Sequence, residues 1–208
     1  MKNGCFIVFE GPDGSGKTTI CDIVCQKLTD MGFDIVHTRE PGGIEIAEKI
    51  RNIILDPLNT AMDAKTEALL YAASRRQHLV EKIIPSLKEN KIVICERFVY
   101  SSLAYQGKAR GIGYEGIMAI NDFAIDGCKP DITIYLDVDE KTGHARINQR
   151  ASKDRLDGET DNFHHLVNEG YKEILELYKG NIKVVDATNS IDKVSKDCLD
   201  VILDYING

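Results

Sequence analysis

The chain has 208 residues, 43% of them hydrophobic, and a formal net charge of −7. That length builds one good α/β core, so a single domain over 1–208 is expected, and the acidic balance argues against a broad nucleic-acid surface or an anionic membrane surface. No apolar run approaches membrane-spanning length and the N-terminus lacks the layout of a signal peptide, so a cytoplasmic chain is expected.

The first run, Cys5 to Phe9, is short, apolar and β-prone, and apolar residues recur at helical spacing from Ile20 through Ile23, Val24 and Leu28 to Met31. Between them lies Gly11-Pro12-Asp13-Gly14-Ser15-Gly16-Lys17-Thr18, which fits G-x-x-x-x-G-K-[ST]. Strand, glycine-rich turn and helix make a phosphate cradle. Backbone N–H groups wrap the phosphates, Lys17 reaches toward the β- and γ-phosphates, and the Thr18 hydroxyl can hold Mg²⁺. The sequence therefore predicts a nucleoside triphosphate site.

A second strand-like run at Ile35-Val36 leads into Thr38-Arg39-Glu40-Pro41-Gly42-Gly43. A cation and an anion before a Pro-Gly-Gly turn suit a loop that receives an acceptor phosphate; they equally describe a surface ion pair. Helical patterns fall near 44–55 and 64–88. The second sets Tyr71 and Arg75 at i, i+4, which suits a stacking ring beside a donor, and also a core tyrosine beside a solvent-facing arginine. The third run, Ile92 to Cys95, ends abruptly in Glu96-Arg97. There Arg97 can clamp phosphate and Glu96 can orient Mg²⁺ or its waters. Tyr100 to Gly107 supplies Ser102, Tyr105 and Gln106, and the glycines at 107, 111 and 113 predict a loop with freedom to close.

Helical patterns near 115–126, 140–150, 162–178 and 191–206 alternate with strand-like runs at 132–138 and 182–185. Strands alternating with helices predict a three-layer α/β fold, a parallel sheet covered on both faces, with ligands at the carboxyl ends of its strands. Arg146, Arg150, Lys153 and Arg155 make a basic segment, which reads either as a lid over about 143–160 or as a solvated face. The six cysteines show no paired metal spacing and read as small buried hydrophobes; the five histidines read as surface residues or as support behind the site.

Taken together and in order, FEGPDGSGKTT at 9–19, TREPGG at 38–43, EALLYAASRR at 67–76, ERFVYSSLAYQG at 96–107, RGIG at 110–113, PDITIYLDV at 130–138 and DRLD at 154–157 resemble thymidylate kinase over nearly the whole chain. The resemblance implies a P-loop NTPase fold with five parallel strands and a small lid, a homodimer, ATP as co-substrate with Mg²⁺, and phosphorylation of dTMP to dTDP. It implies that Asp13 accepts from the sugar 3′-hydroxyl and that Arg97, with Arg39 and Arg51 nearby, holds the dTMP phosphate. Tyr71 would stack on thymine, Arg75 would donate to its O4, and Gln106 and Ser102 would meet its other polar edge. Tyr105 would crowd the 2′ position. Arg146 would join the glycine-rich loop on ATP. Family members without an arginine in that loop carry the catalytic one in the lid; Gly14 and Ser15 stand where it would sit, and Arg150, then Arg155, fit the lid position. Two departures stand out: the strand-end pair is usually Asp-Arg, here Glu96-Arg97, and the stacking ring is commonly Phe, here Tyr71. The rival reading is a deoxynucleoside kinase, with Glu96 as base toward a neutral hydroxyl.

Overall fold

The computed structural model describes residues 4–147 and 154–208. Five strands form one parallel sheet: β1 (Cys5–Glu10), β2 (Ile35–Arg39), β3 (Ile92–Glu96), β4 (Ile132–Asp137) and β5 (Ile182–Asp186), in the order β2-β3-β1-β4-β5. Parallel strands cannot be joined by tight turns, so each connection carries helix. These are α1 (Lys17–Asp30), α2 (Glu45–Leu55), α3 (Ala64–His78), α4 (Ile84–Lys88), α5 (Val99–Ser102), α6 (Tyr114–Ile125), α7 (Glu140–Ile147), α8 (Asp161–Leu177) and α9 (Ile191–Asn207). A π-helical turn, Leu79–Ile83, fuses α3 to α4, and another, Leu103–Ala109, continues α5.

The alternation of side chains along β1 divides the core. Cys5, Ile7 and Phe9 pack with Ile20, Val24 and Leu28 of α1 and Cys198 and Ile202 of α9. Phe6 and Val8 pack on the other face with Leu79, Leu103, Ile117 and Tyr171. A strand buried on both sides reads as a continuous apolar run, which is why β1, β3 and β4 were legible in sequence. β1 sits between β3 and β4, where the winding of the sheet reverses, and its carboxyl end opens into the glycine-rich turn. Among the described residues no helix is long and apolar enough to cross a membrane.

Candidate active site

A cavity of about 480 Å³ opens on the carboxyl edge of the sheet, walled by residues from Asp13 to Thr19, from the ends of β2 and β3, from α2 and α3, and from Ser101 to Gln106. At its near end Gly14 and Gly16 take left-handed backbone, φ 78° and 88°, and Gly16 caps α1. The Lys17 ammonium folds back on the turn, donating to the Gly11 carbonyl at 3.0 Å, the Pro12 carbonyl at 2.9 Å and Ser15 Oγ at 3.2 Å. Burial, and after it the Arg97 charge, lowers the Lys17 pKa to about 7. Thr18 Oγ1 donates to Glu96 Oε2 at 2.6 Å, and His37 Nε2 meets Glu96 Oε1 at 3.1 Å. Burial pushes the Glu96 pKa up, but the bonds from His37 and Thr18 and the charges of His37 and Lys17 hold it below the ordinary value. A hydroxyl and an ionised carboxylate side by side at the cavity wall are the hard oxygen donors a magnesium ion takes. Arg146 of α7 donates to the Gly14 carbonyl at 3.2 Å.

The middle of the cavity is cationic. Arg97 sits at φ 68°, a strained conformation for a branched-out side chain, pinned by its own N–H to the Phe9 carbonyl at 2.8 Å. Its guanidinium donates to Asp13 Oδ1 at 2.7 Å, Ser101 Oγ at 3.0 Å and the Gly11 carbonyl at 3.1 Å, and lies over the Tyr105 ring. Tyr105 in turn donates to Asp13 Oδ2 at 2.6 Å. Across from it Arg39 and Arg51 both donate to the Pro41 carbonyl, at 2.9 and 3.0 Å. Burial first, then the neighbouring Arg39 charge, lowers the Arg51 pKa. Three guanidinium groups around one space form a site for an anion.

The far end holds Tyr71, half-buried along the wall, and Arg75, which is 1% exposed. Arg75 Nε donates to Glu40 Oε2 at 2.6 Å, Nη1 to Ser102 Oγ at 3.2 Å and to Asn121, and Nη2 to the Phe98 carbonyl at 2.9 Å. Of its five N–H groups one on Nη2 remains for the cavity. His78 Nδ1 braces the second Glu40 oxygen at 3.1 Å, and its Nε2 meets Thr38 Oγ1 at 2.7 Å. Gln106 Nε2 donates to Glu67 Oε1 at 2.8 Å.

Residues 9–198 match the thymidylate kinase family. The chain is 54% identical over 207 residues to the thymidylate kinase of Geobacillus sp. strain WCH70, covering 99% of each. It is 53% identical over 202 residues to that of Bacillus licheniformis, covering 96% of this chain and 95% of the relative. The chain belongs to the thymidylate kinase family. A crystal structure of thymidylate kinase from Ehrlichia chaffeensis superposes with a TM-score of 0.80 at 33% identity, over 97% of this chain and all of the other.

Most residues the thymidylate kinase motifs named therefore wall one cavity, with Gly11, Pro12 and Ser15 forming the turn behind it. Four expectations change. The segment expected to be a closing loop is helix from Val99 through Ala109, buried under α8, with Gly107 inside it; only Gly111 and Gly113, at φ 73° and 89°, serve as turn glycines. The Tyr71–Arg75 pair inverts the solvent-facing reading, since the arginine is the buried member. Arg155 does not wall the cavity: it donates to Glu67 Oε2 at 2.5 Å and to the Ile54 carbonyl at 2.7 Å. Gly14 leaves no room for a side chain, because a Cβ would run into the Gly143 carbonyl of α7. Arg150, and the segment 148–153 within the expected lid, lie outside the described residues.

Sequence reasoning missed Glu10, Glu67 and Asn121, all nearly inaccessible; His78, also buried, falls under the reading of the histidines as support behind the site. Glu10 accepts from the Phe98 and Ser101 N–H groups at 2.8 and 3.0 Å and from Tyr171 at 3.0 Å, fixing the chain that leaves Arg97. A single acid ending a wholly apolar strand was the available signal.

Proposed function

We propose that this thymidylate kinase family member transfers the γ-phosphoryl group of ATP to dTMP within the one cavity, ATP on the glycine-rich turn and dTMP against Tyr71, Arg75 and Gln106. The observation that carries this reading is the trio Arg39, Arg51 and Arg97 between the two ends. A nucleoside acceptor gives those charges nothing to bind; a monophosphate does. Its phosphate is already a nucleophile at neutral pH, so no general base is required, and Glu96 is committed to Thr18 and His37.

The chain's own residues position and neutralise. Lys17 leaves its loop carbonyls for the phosphates of ATP, and Arg97, held by Asp13 and Tyr105, keeps the acceptor phosphate aimed at the donor. Asp13 and Tyr105 border the sugar, with Tyr105 occupying the room of a 2′-hydroxyl. Thr18 and Glu96 would hold Mg²⁺, whose chemistry is to offset charge on the triphosphate oxygens. Since Arg155 is engaged by Glu67, we assign the charge-neutralising role on the transferring group to Arg150, with Arg146 beside the ATP loop.

We further propose a homodimer in the cytoplasm, where nucleotide substrates reside. Its support is the exposed apolar pair Leu69 and Phe123, 57% and 88% accessible, on the packed helices α3 and α6. The acceptor assignment is tested with a panel at fixed MgATP: dTMP should exceed dCMP, dGMP, AMP and thymidine in kcat/KM. A better rate with thymidine would revive the nucleoside kinase reading.

A further inference from the structure

Glu67 lies one helical turn before Tyr71 and is 1% exposed, yet it does not wall the cavity. Its Oε1 accepts from Gln106 Nε2 at 2.8 Å and from Arg110 Nε at 3.3 Å; its Oε2 accepts from Arg110 Nη2 at 3.0 Å and Arg155 Nη2 at 2.5 Å. Arg110 is itself shared with Glu159 at 2.5 Å. Two guanidinium groups keep Glu67 an ionised carboxylate, which can only accept. The Gln106 amide is therefore compelled to turn its NH₂ toward Glu67, because the opposite rotation sets a carbonyl against a carboxylate. No bond among the described residues reaches Gln106 Oε1, and no buried side-chain oxygen lacks a partner. The oxygen therefore faces the cavity that Gln106 walls. Arg75, which walls the same cavity, has one N–H left without a partner among the described residues.

We infer that Glu67 is a specificity-positioning residue: by fixing the Gln106 amide it makes that wall an acceptor, which takes the N3–H of thymine and opposes the bare N3 of cytosine. The pairing is completed by Arg75, whose donor suits a 4-carbonyl and opposes a 4-amino group. The inference rests on the reading of this end of the cavity as the acceptor-base pocket. Shape plays no part in it, so the discriminating pair of substrates is dTMP and 5-methyl-dCMP, which share the methyl group and the ring outline.

The experiment measures kcat/KM for both substrates in the wild type and in Glu67→Gln, Glu67→Asp and Gln106→Leu. Glu67→Gln frees the amide to rotate, so the dTMP to 5-methyl-dCMP ratio should fall at least tenfold, through the KM values, with kcat for dTMP largely kept. Glu67→Asp keeps the charge for Arg110 and Arg155 but withdraws it from Gln106, and should narrow the ratio in the same direction even if Glu67→Gln does not fold. General structural damage lowers both substrates together and leaves the ratio alone. A ratio within twofold of wild type in the folded Glu67 variants, with Gln106→Leu collapsing it, overturns the role of Glu67 and keeps the pocket. A ratio and a dTMP kcat/KM untouched by Gln106→Leu overturn the pocket reading itself.

Discussion

At the scale of single residues, burial decides what each charged group can do. Lys17 is lowered to about 7 by burial and by Arg97. Below that pH it is already cationic in the free protein; above it, the amine is largely neutral until triphosphate arrives and restores the charge. ATP binding at pH 8 should therefore take up about one proton, the uptake should shrink toward zero at pH 6, and affinity should weaken as pH rises past 7. Calorimetry in two buffers of different ionisation enthalpy measures it. Arg75→Ala strips a buried guanidinium from Glu40, so unfolding free energy should drop by about 3–5 kcal/mol in urea titrations. The dTMP affinity should fall in the same variant by far more than that for ATP. The two arginines of the expected lid have different roles. Arg150→Ala should lower kcat by roughly 10³ with the dTMP KM kept, whereas Arg155→Ala should act through Glu67 on the dTMP KM.

Among the elements, the helix Val99 to Ala109 carries Ser101, Ser102, Tyr105 and Gln106 into the wall, and α8 fastens it there. The contact depends on Gly170 of α8, where a Cβ would stand 3.0 Å from Lys108 Cβ and 3.1 Å from Ala104 Cα. Gly170→Leu should cost about 1–3 kcal/mol of stability and raise the dTMP KM more than the ATP KM, as measured by denaturation and steady-state kinetics. This was also the element hardest to read in sequence. Paired serines and nearby glycines describe a loop, and only burial under α8 makes a helix of them. The central strands β1, β3 and β4, by contrast, announced themselves as apolar runs closed by a polar residue, and the edge strands β2 and β5 as shorter or interrupted ones. The site was legible at strand ends and the turn after β1: Arg39 and Glu96 close β2 and β3, Arg97 follows β3, and Thr18 stands in the first turn of α1. It was illegible at Glu67 and Glu10, because a buried acid has meaning only with its partners, and those stand far along the chain: Gln106 is 39 positions from Glu67, and Tyr171 is 161 from Glu10.

For the whole molecule, α3 is the axis on which the site and the proposed dimer face meet. Its inner face presents Tyr71 and Arg75 to the cavity, with Glu67 buried behind them, and it exposes Leu69, as the neighbouring α6 exposes Phe123. If the proposed homodimer forms through this face, Phe123→Glu should give a monomer in sedimentation velocity runs and also depress dTMP turnover, because α3 loses the support of its neighbour; a monomeric wild type overturns the dimer. The same helix anchors the bonded series Thr38, His78, Glu40, Arg75 and Ser102, which ties β2 to α3 and α3 to α5. Every bond in the series joins two protein groups, so the chain itself, and not dTMP, orders this wall. Little conformational entropy remains to be lost when dTMP docks, and the ordering was settled when the chain folded. Residues outside the cavity wall should then govern affinity: loosening His78 should weaken dTMP binding chiefly through an entropic loss, read by calorimetry.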